Sequence, residues 1–137
     1  MKKIIASVVV IMNLISVYAM EPEQKFMIDV TSTDNKVYQS VLLTIDIMSK
    51  SHPNSTIEVV AYGEAVPIFM KDRSPVAAQI LEYTGNKNIV FTACEVSMEL
   101  FNIKKEELLP GVGTVKNAIL DIVEKQKAGW GYIKSGN

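Results

Sequence analysis

Cys94 is the only cysteine in the chain, and its position in the sequence favours reactivity. It directly follows residues 88–93 (NIVFTA), an almost wholly apolar segment that is typical of a buried parallel strand. Residues 95–101 are predicted to form a helix, which places Cys94 at a helix N-terminus. Free N–H groups and the positive end of the helix dipole stabilise a thiolate there. Because the thiolate is the reactive form of cysteine, we predict nucleophilic or sulfur-carrying chemistry at Cys94.

Other features of the sequence leave Cys94 open to a different role. Glu95 is adjacent, and its carboxylate would oppose a thiolate if both side chains pointed the same way. Many free cysteines are small buried hydrophobic residues. A single cysteine cannot form an internal disulfide, so Cys94 is a buried structural residue, an intermolecular partner or a reactive thiol. His52 is the only histidine, so the chain cannot build a Cys/His zinc site, and we expect no metal.

Further candidate residues follow from the rule that ligands gather at the carboxyl ends of strands in an open parallel sheet. Asn35 belongs to the turn after the first predicted strand, and Gly63 and Glu64 follow the second. Together with Glu95, these residues are the candidate ligand-binding positions. His52 is expected at the amino end of the second strand, away from this edge.

Several other positions are predicted to have structural roles. Asp29 lies inside a predicted strand, where a hydrogen-bonded or solvated role is expected. Trp130 and Tyr132 lie in a glycine-rich terminal segment and are expected to cover a core edge or a subunit contact. The stretch 111–113 (GVG) lacks the third glycine of a dinucleotide fingerprint, so we expect no cofactor.

The elements that must position these residues alternate between strands and helices. The predicted strands are residues 25–31, 56–62, 88–93 and 112–115, with an edge strand at 129–134. The predicted helices are residues 36–49, 65–70, 74–84, 95–101, 104–109 and 117–127. This alternation predicts an α/β fold, with helices on both faces of a mostly parallel sheet of about five strands.

The N-terminus has the order of a secretory signal peptide. Lys2 and Lys3 precede an apolar run over residues 4–17, and residues 17–19 (VYA) form a small-x-small cleavage pattern. We therefore expect residues 1–19 to be removed, leaving residues 20–137 as one exported domain, periplasmic or secreted. The alternative is an uncleaved anchor, but the run is shorter than the roughly 20 residues that a spanning helix needs.

The charge of the mature chain excludes some classes of partner. Without Lys2 and Lys3, 12 basic side chains remain against 15 acidic ones, which gives a net charge of −3 with His52 neutral. No basic face is available for nucleic acid or anionic lipid. After residue 19 no apolar stretch is long enough to span a membrane.

Four segments in combination resemble the DsrE/DsrF-like family. They are residues 57–63 (IEVVAYG), 90–103 (VFTACEVSMELFNI), 104–112 (KKEELLPGV) and 122–134 (IVEKQKAGWGYIK). The resemblance implies a flavodoxin-like three-layer fold and homo-oligomers, often trimers or hexamers. It also implies a link to sulfur relay, in which a carrier cysteine holds sulfane sulfur as a persulfide, and Cys94 occupies the similar position. The signal peptide makes this chain similar to the exported members.

Two hypotheses about function follow. In the first, Cys94 accepts sulfane sulfur from a donor and passes it to an acceptor protein, so that the chain is a sulfur carrier rather than a complete enzyme. In the second, the chain is a non-catalytic, oligomeric module that binds small ligands or supports assembly, and Cys94 is structural. A thiol reductase or peroxidase is a third option, but its resolving thiol must come from another molecule.

Overall fold

The sheet of this protein has five strands in a computed structural model that describes residues 23–136. The strands are β1 (Lys25–Val30), β2 (Thr56–Ala61), β3 (Ile89–Cys94), β4 (Gly113–Val115) and β5 (Gly131–Ser135). The α-helices are α1 (Asn35–Ser51), α2 (Ala77–Tyr83), α3 (Glu95–Leu100) and α4 (Ala118–Lys127), and 3-10 helices cover Gly63–Phe69 and Lys105–Glu107. The predicted signal peptide lies outside the described residues.

The strands are ordered β4-β3-β2-β1-β5, and every neighbouring pair is parallel. This confirms the predicted α/β fold with a parallel sheet, and the predicted edge strand is β5. The chain moves steadily outward from β1 to β4 and then returns to the other side of β1. Because parallel crossovers are right-handed, this reversal puts α4 on the opposite face of the sheet from the earlier helices.

The two faces of the sheet carry cores of very different size. The face under α1, α2 and α3 forms the large core, which includes Ile28, Val59, Phe91 and most of the other buried apolar side chains. The face under α4 forms the small core of Met27, Val60, Cys94, Ala118 and Ile122. Since side chains alternate along a strand, the buried polar residues Asp29, Glu58 and Thr92 share this second face.

A partly buried group of ion pairs holds α4 on the sheet. Lys125 of α4 forms an ion pair with Glu58 of β2 and a second one with Asp121 at 2.6 Å. Glu58 also accepts a hydrogen bond of 2.7 Å from the Thr92 hydroxyl. These contacts fix the position of α4, and therefore of its N-terminus, relative to β3.

α1 follows from its sequence pattern, but other predicted helices differ from the structure. The Asp34 side chain accepts from the amide of Lys36 and caps α1, which buries Tyr38, Val41, Leu42 and Ile45 at helical spacing. The predicted helix 104–109 is wrong: one 3-10 turn forms, and Leu108 instead makes an antiparallel bridge with Met70. The segment predicted as helix 65–70 is a 3-10 helix. Within residues 23–136 no helix is long and apolar enough to cross a membrane.

Candidate functional site

Cys94 ends β3 and is the N-cap residue of α3. Its side chain faces α4, where it packs with Val60 and Ala118 in the small core. Only 4% of the residue is exposed. The thiol therefore lies at the carboxyl edge of the sheet, as predicted, but under a helix rather than on the open surface.

The first turn of α4 supplies a hydrogen-bond donor to the sulfur. The Asn117 side chain caps α4 by accepting from the amides of Ile119 and Leu120, at 3.0 and 3.2 Å. Neither of these bonds uses the first N–H group of the helix, which belongs to Ala118. That amide donates to Cys94 Sγ at 3.4 Å. The first N–H groups of a helix have no acceptor within the helix, and here the sulfur of Cys94 is the acceptor for one of them.

A second set of donors comes from the start of α3. Ser97 is buried, and its hydroxyl accepts from the amide of Gly63 at 2.8 Å. The amide and the hydroxyl of Ser97 both favour negative charge on the Cys94 sulfur. Burial by itself raises the pKa of the Cys94 thiol. The donors at Ala118 and Ser97, with a smaller contribution from the Val96 amide, outweigh burial and lower this pKa below its ordinary value. The surroundings of Cys94 therefore favour the thiolate.

Glu95 does not oppose that thiolate. Its carboxylate accepts a hydrogen bond of 2.7 Å from the hydroxyl of Thr114 in β4. Thr114 pairs with Ala93, which faces the large core and not the face that carries Cys94. The Glu95 side chain is therefore held towards the other face of the sheet.

A buried carboxylate lies on the same face as Cys94. Asp29 is 3% exposed, and its Oδ2 accepts from the hydroxyls of Tyr132 at 2.6 Å and Tyr62 at 3.3 Å. The hydrogen bond to Asp29 raises the pKa of Tyr132 to about 12. Burial, followed by the nearby charges of Asp29 and Cys94, raises the pKa of Tyr62. Tyr62 thus bonds to the Asp29 carboxylate and packs against the small core that contains Cys94.

The other predicted site residues are only partly brought together. Gly63, with a φ of +60° that favours glycine, is linked to Cys94 through Ser97. Glu64 lines a separate cavity with Thr33, Pro67, Arg73 and Phe101. Asn35 is exposed at the start of α1 and does not line that cavity.

His52 lies at the opposite edge of the sheet from the thiol. It is the C-cap residue of α1, and its ring is 6.4 Å from the ring of Phe26, near the start of β1. The two residues of a Cys/His pair are therefore not adjacent in this fold.

Sequence reasoning did not identify the residues that contact the sulfur. Ala118 contributes only its backbone, so no residue type could reveal it. The pattern that could have indicated this donor is Asn117, a favoured N-cap residue, before the apolar residues of α4. Tyr62 could have been noticed because it directly follows β2, next to the strand that ends at Cys94.

Comparisons with known proteins agree with this architecture. A family model described as the DsrE/DsrF/DrsH-like family matches residues 15–128. A solved structure of similar fold is MTH1491, a protein of unknown function from Methanobacterium thermoautotrophicum, with a TM-score of 0.77 and 25% identity over 82% of this chain and 99% of that one. The YchN protein of E. coli has a TM-score of 0.67 and 15% identity over 81% of this chain and 98% of its own. BT1422, a conserved protein of unknown function from Bacteroides thetaiotaomicron, also has a TM-score of 0.67. Its sequence identity is 21%, over 85% of this chain and 98% of its own. No curated protein matched the sequence.

Proposed function

This chain belongs to the DsrE/DsrF/DrsH-like family, a sulfur-relay-related family, and from that premise we propose that it carries sulfane sulfur on Cys94. The sulfur would be held as a persulfide between a donor and an acceptor protein. In this role the chain is a carrier or accessory protein, and it needs no cofactor for the transfer.

The transfer step balances without an added oxidant or reductant. A lone pair of the Cys94 thiolate attacks the terminal sulfur of a donor persulfide or polysulfide, R–S–SH, and forms a new Sγ–S bond. The donor S–S bond breaks, and its electron pair leaves with R–S⁻. An acceptor thiolate then attacks the outer sulfur of the Cys94 persulfide and releases the Cys94 thiolate.

One observation carries the proposal: Cys94 Sγ accepts a hydrogen bond from Ala118 at the N-terminus of α4. A helix N-terminus suits both forms of the residue, because the thiolate carries its charge on Sγ and an anionic persulfide carries it on the outer sulfur, one bond further along. The thiolate gains more from the Ala118 amide than a neutral thiol does, because a hydrogen bond to a charged acceptor is stronger.

Cyanide provides a test of the proposal, because it removes sulfane sulfur from persulfides as thiocyanate. The protein is incubated with polysulfide, freed of excess reagent and treated with cyanide. We expect about one thiocyanate per chain, and none from Cys94→Ser. An equal yield from both proteins would place the bound sulfur elsewhere.

We also propose that the carrier is exported and works outside the cytoplasm, because the first 19 residues follow the order of a cleavable signal peptide. N-terminal sequencing of the protein from its native cells should begin at Met20. A sequence that begins at Met1 would contradict cleavage.

A second candidate function, assembly of a homo-oligomer, is favoured by a different observation. The outer side of α4 exposes Ile119, Leu120 and Val123, of which Leu120 is 61% exposed. On the same face of the sheet Val90 is also exposed. Large exposed apolar patches on a protein surface mark interaction sites. We propose that α4 contacts another copy of the chain, in a trimer or a hexamer.

Accessibility separates a carrier thiol from a structural one. Cys94 is buried, so a thiol that serves only in packing should resist alkylation while the protein is folded. A carrier thiol should react with a small reagent such as iodoacetamide under native conditions. Alkylation that occurs only in denaturant would support the structural role.

A further inference from the structure

We propose that the cavity lined by Glu64 and Arg73 binds a small zwitterion that carries both a carboxylate and an ammonium group, as a free α-amino acid does. The proposal does not depend on sulfur transfer at Cys94. It concerns a separate site that is formed by the segments after β1 and β2.

The cavity lies where a parallel sheet usually binds ligands. Thr33 follows β1 and Glu64 follows β2, so these two lining residues lie at the carboxyl edge of the sheet. Its volume is about 320 Å³. This is at the small end of the roughly 300–1,000 Å³ found for ligand pockets, which suits a small metabolite rather than a nucleotide.

The two charged side chains of this cavity do not neutralise each other. Arg73 is the only arginine of the chain, and its Nη1 donates to the sulfur of Met70 at 3.8 Å, which is a weak acceptor. Within residues 23–136, neither Arg73 nor Glu64 takes part in an ion pair. Both side chains are exposed to solvent, and with no ion pair between them each can bind an oppositely charged group of a ligand.

The backbone on both sides of the cavity is fixed by hydrogen bonds. Close to Arg73, Lys71 donates its amide to the carbonyl of Glu107 at 2.9 Å and its ammonium to the carbonyl of Glu106 at 2.6 Å. On the other side, the amide of Gly63, next to Glu64, donates to Ser97. Binding therefore requires ordering of side chains but not of the loops, which lowers its entropic cost.

These residue types match the parts of an amino acid. The planar guanidinium of Arg73 suits a carboxylate, with which it can form two parallel hydrogen bonds. The carboxylate of Glu64 suits an ammonium group, and the Thr33 hydroxyl adds a polar contact. Phe101, which is 45% exposed, and Pro67 provide an apolar wall for the ligand side chain.

Calorimetric titration of the purified protein with L-leucine and L-serine tests the proposal. We expect saturable binding of at least one of them, with shifts of the Thr33 and Gly63 amide resonances. We expect about tenfold weaker binding or worse for 4-methylpentanoate, which lacks the ammonium group, and for 3-methylbutylamine, which lacks the carboxylate. Both Arg73→Met and Glu64→Gln should weaken amino-acid binding by a similar factor.

Matched variants keep the test interpretable. Lys127→Met removes an exposed charge on α4 that does not line the cavity, and Cys94→Ser removes the thiol; both should bind like the wild type. Failure of both amino acids to bind would overturn the proposal, as would wild-type affinity in the two cavity variants. Equal affinity for 4-methylpentanoate and L-leucine would also overturn it, because the guanidinium alone would then account for binding.

Discussion

The backbone amide of Ala118 donates a hydrogen bond to Sγ of Cys94 over 3.4 Å, although the two residues are 24 positions apart in the sequence. Ala118 begins α4, and Cys94 itself caps α3. Cys94 thus lies at the N-termini of two helices that leave different strands, and its sulfur accepts from the first N–H group of α4. This arrangement, more than the presence of a cysteine, distinguishes the site from an ordinary buried thiol.

The first prediction concerns the ionisation of Cys94. Its donors lower the thiol pKa, so the rate of alkylation by iodoacetamide should reach half its maximum below the ordinary thiol pKa of about 8.5. An unfolded peptide that spans residues 88–101 is the control, and it should titrate near that ordinary value. A midpoint in the folded protein at or above the value of the peptide would contradict the assigned donors.

The same shift predicts how stability depends on pH. The Cys94 thiol has a lower pKa in the folded state than in the unfolded state. It therefore stabilises the fold, and this contribution is complete when the pH is above the pKa of the unfolded chain. That contribution is lost as the pH falls through the folded pKa. The melting temperature of the wild type relative to Cys94→Ala should therefore increase from neutral pH to a pH above about 8.5. A difference that stays constant or shrinks over this range would count against a stabilised thiolate.

Ser97→Ala should raise the pKa of Cys94. The variant removes a hydroxyl that helps to lower the pKa of Cys94, and it also leaves the amide of Gly63 without its acceptor. We expect a loss of about 1–2 kcal/mol in the free energy of unfolding, together with a higher alkylation midpoint. Thr114→Ala is the matched control, because it removes a hydroxyl that bonds to Glu95 and not to Cys94. An equal effect of both substitutions on the thiol would argue against a specific role of Ser97.

Lys125→Met should destabilise the fold by about 2–4 kcal/mol, because it leaves the buried carboxylate of Glu58 without its cation. Chemical denaturation measures this loss. Since the ion pair holds α4 over the sheet, native alkylation of Cys94 should also become faster. Lys50→Met, which breaks an exposed pair with Asp46, should change neither quantity appreciably. Slower alkylation in Lys125→Met would mean that α4 does not cover the thiol.

Tyr132 should ionise only at high pH in the folded protein. Its hydrogen bond to Asp29 raises its pKa to about 12, so the native state loses stability as the pH rises from the ordinary value of about 10 towards that pKa. Tyr132→Phe removes this contribution. In an ultraviolet titration of the variant, the ionisation step at the highest pH should then be absent. A native titration complete near pH 10 would contradict the hydrogen bond.

Assembly through α4 predicts that Leu120→Glu lowers the oligomeric state, as measured by light scattering after size exclusion. Leu120 is exposed in the single chain, so the variant should keep its fold and its thermal transition as a monomer. Leu43→Glu on α1 is a matched substitution on another exposed leucine, 59% accessible, and should leave the assembly unchanged. An unaltered oligomer in Leu120→Glu would exclude this surface.

The elements of the fold could be predicted because each is encoded locally. The apolar segment before Cys94 and the helical spacing of Val41 and Ile45 each describe one element without reference to the rest. The short helices were harder to predict from the sequence. In the predicted helix 104–109, for example, Leu108 is held by a bridge to Met70 and not by helix propensity. Contacts of this kind become visible only when the chain is folded.

The site itself could be predicted only in part. The place of Cys94 at the end of a strand follows from the sequence, but its donors depend on where distant strands meet. β5 pairs with β1, which allows Tyr132 to reach Asp29 across 103 positions. The orientation of Glu95 likewise depends on Thr114 in β4. No periodicity in the sequence encodes the order of strands in the sheet.

The most direct test of a sulfur-carrying Cys94 is the intact mass of residues 20–137 after exposure to polysulfide, measured beside Cys94→Ser. We expect a gain of one sulfur atom that reductant reverses and that the variant lacks. No gain on a thiol shown to be reduced would contradict this expectation and would leave Cys94 as a structural residue of the small core.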